Sequence, residues 1–210
     1  MTTSTKSTMP LRRLLVLGGT GFVGRAFVAR WLATTGTGAA TLCIPTRRRV
    51  RGHMLAMLPN VEVVEADVHA PAQLDALVQG ADAVLNLVAI LHGCPAQFER
   101  THVTLPQQLA AACQRAGVQR LVQVSALGVP DRDPASAPSH YLRSKARGEQ
   151  VLRAAPDLDL TVLRPSVIFG AEDRFIRLFA QLQALLPVVA LAGAQARFQP
   201  VWVEDVARVL

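Results

Sequence analysis

Tyr141 and Lys145 stand four residues apart, a spacing that sets a phenol and an ammonium on one face of a helix. Composition sharpens the pair. Tyr141 is the single tyrosine of the chain, and Lys145 is the single lysine beyond Lys6 among 22 basic residues. A phenol with a pKa of ~10 is a weak acid–base group at neutral pH. A nearby ammonium stabilises the phenolate and lowers that value. Such a pair can exchange a proton with a substrate oxygen while a hydride moves between a substrate carbon and a bound cofactor. The alternative is an ordinary pair on a helix surface. His140, adjacent in sequence, points to another side of the same helix.

A second constellation lies near the N-terminus. Gly18, Gly21 and Gly24 recur every third residue in Gly18-Gly19-Thr20-Gly21-Phe22-Val23-Gly24. This stretch follows a short apolar run and opens an amphipathic one. In that setting Gly18 permits a tight turn, Gly21 lets backbone approach a pyrophosphate, and Gly24 lets the helix pack close to the strand. The amides at the start of the helix, from Thr20 to Val23, then face an anion. A purely structural glycine turn is the alternative reading. No Asp or Glu occurs between Gly24 and Glu62, where an acid that binds a ribose 2′-hydroxyl would stand. Arg47, Arg48 and Arg49 follow the second apolar run instead, and arginines there can pair with a 2′-phosphate. The pattern favours NADP(H), with NAD(H) the alternative; a solvated basic loop would carry the same residues. Asp67 and Val68 follow the third run, where the Asp could contact an adenine amino group or cap a helix.

Apolar runs at 13–17, 39–44, 61–64, 83–90, 121–125 and 160–163 read as strands. Helical spacing recurs at 22–35, 71–78, 98–116, 139–155 and 175–186. Strands that are continuously apolar and alternate with helices predict an α/β fold, a doubly wound parallel sheet with ligands at the carboxyl ends of its strands. The polar, Pro-rich loop 130–138 borders that crevice.

Composition bounds the rest. The chain has 210 residues, half of them hydrophobic and 18% charged, enough for one well-buried domain and too apolar for wholesale disorder. The net charge of +7 is uneven: residues 1–61 hold nine basic residues and no acid. That field suits phosphates, nucleic acid or an anionic membrane. Seven Phe, two Trp and one Tyr supply no interleaved stacking platforms, so nucleic acid is not expected. Cys43, Cys94 and Cys113 are too scattered for a disulfide framework, which points to a reducing, cytoplasmic setting. No metal site is expected; His92-Gly93-Cys94 reads as a polar loop. No run is long enough to span a bilayer, and residues 1–11 read as a disordered tail, not a signal peptide.

The glycine loop, Asn86-Leu87-Val88-Ala89, Ser125, the Tyr141/Lys145 pair and Arg164-Pro165 stand in an order that resembles the extended and atypical short-chain dehydrogenase/reductase superfamily. The resemblance covers residues 12–210. The stretches VLNLVAILHG, FERTHV, AGVQRLVQVSALG, YLRSKARGE, LRPSVIFG and FQPVWVEDVARV look most like the epimerase/dehydratase-like branch that holds the nucleotide-binding accessory subunit of respiratory complex I and its bacterial relatives.

The resemblance implies a Rossmann domain over 12–210 that ends inside the start of a substrate-binding region. It implies that Leu87, Val88 and Ala89 line the cofactor and that Pro165 lies in the turn under the nicotinamide. Ser125 joins Tyr141 and Lys145 as the catalytic set, and Lys145 also holds the nicotinamide ribose. Two positions depart from the pattern. Leu127 stands where extended members carry the catalytic Ser or Thr, and His102 where they carry Asn.

Two functions follow as expectations. One is a nucleotide-binding protein with a structural or assembly role. The other is an active NADP-dependent oxidoreductase or nucleotide-sugar epimerase/dehydratase-like enzyme that uses Tyr141 and Lys145. The apolar stretches 175–179 and 188–191 read first as a helix packed on the core; the alternative is a hydrophobic substrate, a quinone or a membrane-associated protein partner, and with it a peripheral place at the inner face of a membrane.

Overall fold

The structure is a computed structural model that describes residues 11–35, 40–173, 183–184 and 197–210. The helix expected over 175–186, and with it the apolar stretches 175–179 and 188–191, lies outside the described residues apart from 183 and 184.

Six strands form one parallel sheet in the order β3-β2-β1-β4-β5-β6. They are β1 (Arg13–Leu17), β2 (Thr41–Thr46), β3 (Val61–Glu65), β4 (Ala83–Asn86), β5 (Arg120–Val124) and β6 (Asp159–Leu163). The connecting helices are α1 (Phe22–Thr35), α2 (Pro71–Val78), α3 (Pro95–Glu99), α4 (Leu105–Ala116) and α5 (His140–Arg153). A two-stranded parallel pair follows, β7 (Ile168–Phe169) with β8 (Val201–Trp202), and then α6 (Val203–Val209). Chain order reverses between β1 and β4, and the crevice at that switch point is where ligands bind in such sheets.

The continuous apolar strands are explained by burial on both faces. Leu15 and Leu17 of β1 point into one cluster with Leu74, Leu77, Leu105, Leu109 and Leu152 from α2, α4 and α5. Leu14 and Val16 point into the other, with Phe27 and Val28 of α1 and Ala207 of α6. Both layers of helices are therefore tied to the same strand.

Three expected elements differ. β4 ends at Asn86 and not at residue 90, because the Asn86 Oδ1 accepts the Val88 amide (3.1 Å) and turns the chain out of the sheet. β2 runs on through Pro45 to Thr46, where it had been expected to end at Pro45. Its pairing with β1 stops at Cys43, so the missing N–H of Pro45 costs no ladder bond on that side. The helix expected over 98–116 starts earlier, at Pro95, and is interrupted by a π turn at Arg100–Thr104.

That turn carries His102, which is buried. Its Nε2 accepts the Ile90 amide (3.1 Å) and its Nδ1 meets the Ser144 Oγ (2.8 Å). The Ser144 hydroxyl donates to the Tyr141 carbonyl (2.8 Å), so His102 carries its proton on Nδ1 and donates to Ser144. α5 packs against the turn so closely that a methyl group at Gly148 would overlap the His102 carbonyl oxygen. The wide turn and the glycine together bring α5 under the carboxyl end of β5.

Burial, with a smaller contribution from the Lys145 charge, pushes the His102 pKa down to about 3. The unfolded chain then binds the extra proton first, so His102 adds stability in full above pH ~6.5 and loses it as pH falls from there toward 3. The expected loss is at most about 1.4 kcal/mol per pH unit. His69 shifts in the same direction through burial, so the variant comparison matters. Melting temperatures of the wild type should fall between pH 7 and 5, and His102→Asn should flatten that slope; an equal slope in both proteins contradicts the buried neutral histidine.

Candidate dinucleotide site and the tyrosine helix

The glycine loop lies at the switch point. Gly18 adopts a positive φ of 81° and sits against β4: a methyl group there would lie 3.1 Å from the Leu87 carbonyl carbon and 3.2 Å from the Val88 amide. The Leu87 amide in turn donates to the Leu17 carbonyl (2.9 Å). At Gly24 a methyl group would fall 2.6 Å from the Gly18 carbonyl oxygen, so α1 begins directly on the turn that ends β1. The first bond that closes α1 runs from the Arg25 amide to the Gly21 carbonyl (2.9 Å). The amides of Phe22, Val23 and Gly24 therefore have no helical acceptor and face the loop. This cradle of backbone donors, open only because three side chains are missing, fits the pyrophosphate of a dinucleotide. Phe22 packs against Gly170 beyond β7, and Thr20 is tied by its carbonyl to the Arg25 Nε (3.1 Å).

Arg47 and Arg48 stand exposed at the carboxyl end of β2, the strand next to β1. The Thr46 hydroxyl folds back to the Arg48 carbonyl (3.2 Å) and orders the turn. Neither guanidinium is in an ion pair with a described carboxylate. Asp67 follows β3, but its Oδ1 accepts the His69 amide (3.0 Å) and its Oδ2 lies 3.7 Å from Arg100. It does not cap α2, whose first turn is preceded by Ala70 with no side-chain cap. Val68 is half-buried against the core. Ala89 is exposed beyond the end of β4, with Leu87 and Val88 half-buried behind it.

The tyrosine helix starts at Ser139, whose side chain accepts the Leu142 amide (3.2 Å). Tyr141, Lys145 and Glu149 then form one ridge of α5 that faces the sheet. Lys145 is only 4% exposed, and its Nζ donates to the Val124 carbonyl at the end of β5 (2.7 Å). Burial lowers its pKa to about 8, with the Glu149 charge opposing. Tyr141 packs edge-on against His102 (ring centroids 5.4 Å apart) and Phe98 (6.3 Å). Here the expectation is corrected: burial raises the Tyr141 pKa above its ordinary value, and no lowering by Lys145 offsets it.

Glu149 is the partner that reading by motif did not single out, although the recurrence of four from Tyr141 to Lys145 to Glu149 was its signal. Arg164 reaches it from the end of β6 with Nε (3.0 Å) and Nη2 (2.6 Å), and Arg153 adds a third bond (3.2 Å). Burial alone would push the Glu149 carboxyl up; Arg164, the Ser125 hydroxyl and Arg153 together outweigh it and hold the carboxyl below its usual range. Arg164 thereby fixes the strand end that carries Pro165, and the Pro165 carbonyl accepts the Leu127 amide (2.8 Å). Ser125 is 5% exposed, and its Oγ faces the Glu149 carboxylate, whose pKa it helps lower, without a well-aligned hydrogen bond. It opens into a cavity of about 10 Å³ beside Lys145, Glu149 and His102, room for about one water molecule. Leu127, by contrast, is 51% exposed.

Among the described residues no group of three or more His, Cys, Asp and Glu could hold a metal ion. Cys94 caps α3: its side chain receives the N3 amide while Gln97 accepts the Cys94 amide (2.9 Å). Among the described residues no helix is long and apolar enough to cross a membrane.

Comparison with known proteins agrees with this geometry. Residues 18–180 match the sequence model of a family described as NAD(P)H-binding. Subunit 9 of the mitochondrial NADH dehydrogenase (ubiquinone) 1 alpha subcomplex from Rattus norvegicus is 34% identical over 200 residues, 92% of this chain and 50% of the relative. A ceramide reductase of Caulobacter vibrioides is 33% identical over 196 residues, 93% of this chain and 58% of the relative. The chain thus spans about half the length of the curated relatives it matches. Among solved structures, the dTDP-glucose 4,6-dehydratase DesIV of Streptomyces venezuelae, with NAD bound, superposes with a TM-score of 0.80 at 26% identity, over 93% of this chain and 70% of that one. The fold, the glycine cradle and these relatives together show that the chain belongs to the NAD(P)H-binding family, in its extended short-chain dehydrogenase/reductase-like branch.

Proposed function

We propose that this chain binds NADP(H) in preference to NAD(H) and uses the bound nucleotide mainly to hold a structure that a larger assembly recognises. The observation that carries the nucleotide preference is the pair Arg47 and Arg48, exposed and unpaired with any described acid at the end of β2, with no carboxylate from Gly24 to Val61 to take a ribose hydroxyl. Gly18, Gly21 and Gly24 would admit the pyrophosphate, Leu87 to Ala89 would line the adenosine-to-nicotinamide path, and Pro165 would lie under the nicotinamide. Similarity to complex I subunits supports an assembly role beside a membrane-associated partner. The buried Ser125, turned to Glu149, and the exposed Leu127 weaken the case for catalysis, since neither offers substrate a hydroxyl beside Tyr141.

A second reading is kept alive by the ridge of α5. A bound nicotinamide supplies or accepts a hydride. Lys145, held at the Val124 carbonyl, is placed to hold a ribose hydroxyl, and Tyr141 to pass a proton to a substrate oxygen. The ceramide reductase relative makes a lipid carbonyl the first substrate class to try.

Calorimetric titration with NADPH and NADH tests the first reading. NADPH should bind at least tenfold more tightly, and Arg47→Ala with Arg48→Ala should weaken NADPH by about 10- to 100-fold while leaving NADH unchanged, the scale of one or two charged hydrogen bonds. Equal affinities, or no effect of the double variant, contradict the preference. NADPH oxidation in the presence of long-chain ketones tests the second. The structural role predicts no rate above background. Turnover by the wild type that Tyr141→Phe reduces ~100-fold or more, with NADPH affinity kept, establishes the enzyme reading instead.

A further inference from the structure

The segment between β2 and β3 is built to show apolar side chains to the outside. It forms two short helical turns, Arg49–Gly52 and Leu55–Met57. Gly52 is buried against Val63 of β3, and Leu55 enters the core cluster beside Ile44. With those two residues pinned to the sheet, the others are turned away from it. Val50 is 79% exposed, Met54 74% and Met57 71%, and Leu58 is also exposed. Four of the ten large hydrophobic residues exposed among the described residues thus fall within nine positions. Scattered exposed apolar residues are ordinary; a cluster held out on a fixed turn is not.

The same segment carries Arg47, Arg48, Arg49 and Arg51, all exposed and none in an ion pair with a described carboxylate. Residues 1–61 contain no acid. The first acid that follows, Glu62, lies 3.7 Å from Arg13 on the other side of β2. Cations with no carboxylate partner among the described residues, set among unbranched and β-branched apolar side chains, complement a surface that is anionic outside and hydrocarbon beneath. A protein partner would more often be met by aromatic anchors, and 47–58 contains no Phe, Tyr or Trp. Met54 and Met57 are flexible enough to enter an acyl layer that has no fixed shape.

We propose that residues 47–58 form a docking surface for an anionic phospholipid bilayer, with Val50, Met54 and Met57 entering the acyl boundary and Arg49 and Arg51 at the phosphates. The segment leaves the carboxyl end of β2 and returns to the amino end of β3, the edge strand of the sheet, with Gly52 on Val63 midway. The proposal does not depend on which nucleotide binds: Val50, Met54, Met57 and Arg51 lie outside the residues assigned to the nucleotide, and flotation is measured without nucleotide because Arg49 adjoins Arg47 and Arg48.

Flotation of the 210-residue chain with vesicles of phosphatidylcholine alone, or with added phosphatidylglycerol, tests it. The chain should float with the phosphatidylglycerol vesicles only, and raised salt should release it. Val50→Ser, Met54→Ser and Met57→Ser together should lower partitioning about tenfold or more. Arg49→Gln with Arg51→Gln should lower it by about fivefold for each arginine. Melting temperatures should stay at the wild-type value, since all five side chains are exposed. Absence of flotation with phosphatidylglycerol vesicles overturns the proposal. So does flotation that the triple serine variant leaves intact. A wild-type dimer that the triple variant splits, with no flotation, assigns the face to a contact between protein chains and overturns the lipid assignment.

Discussion

The carbonyl of Gly18 and the backbone of Gly24 are close enough that no side chain fits between them. Everything at the switch point depends on this contact. It lets α1 start on the turn that ends β1, which leaves the Phe22, Val23 and Gly24 amides facing the crevice with no helical acceptor. It also presses the turn against Leu87 and Val88, so that the ends of β1 and β4 form one wall. α1 is in turn tied through Phe27 and Val28 to the sheet and through Ala207 to α6. A β-carbon at residue 24 would lift the helix, separate these walls and disperse the amide donors.

The second support of the site is a buried charge. Lys145 is 4% exposed, and the cost of burying its ammonium outweighs the Glu149 attraction and lowers its pKa to about 8. Two groups offset it: the Val124 carbonyl and the Glu149 carboxylate one turn along α5. Glu149 is itself held by Arg164 from the end of β6, so α5, β5 and β6 are joined through one polar chain beneath the crevice. His102, neutral and saturated by Ile90 and Ser144, closes the other side. Tyr141 is placed by that packing, at a raised pKa that suits a neutral phenol.

Much of this architecture was legible in the residues. Apolar runs without alternation identify a two-faced parallel sheet, and the strand–glycine–helix order places the phosphate cradle. The departures have local causes. Asn86 binds the backbone two residues on and stops β4 early, a side-chain event that apolar periodicity does not register. Pro45 stays in β2 because the pairing of β2 with β1 has already stopped at Cys43. The π turn at His102 leaves no mark in spacing, since it inserts width into a helix and not a break in its apolar face. Glu149 was legible through its spacing but not its burial, which depends on Arg164 arriving from another strand. The acidified tyrosine was read from a pair alone, and burial, a property of the whole fold, reverses the sign.

The proposed place of the nucleotide is the glycine cradle at the β1–β4 switch point. Amide hydrogen exchange measured with and without NADPH addresses it most directly. The nucleotide should slow exchange in the segments 18–25, 46–48 and 87–89, which meet at one end of the sheet, and leave α2 and the outer face of α4 unchanged. Binding that protects other segments and spares residues 18–25 would contradict it.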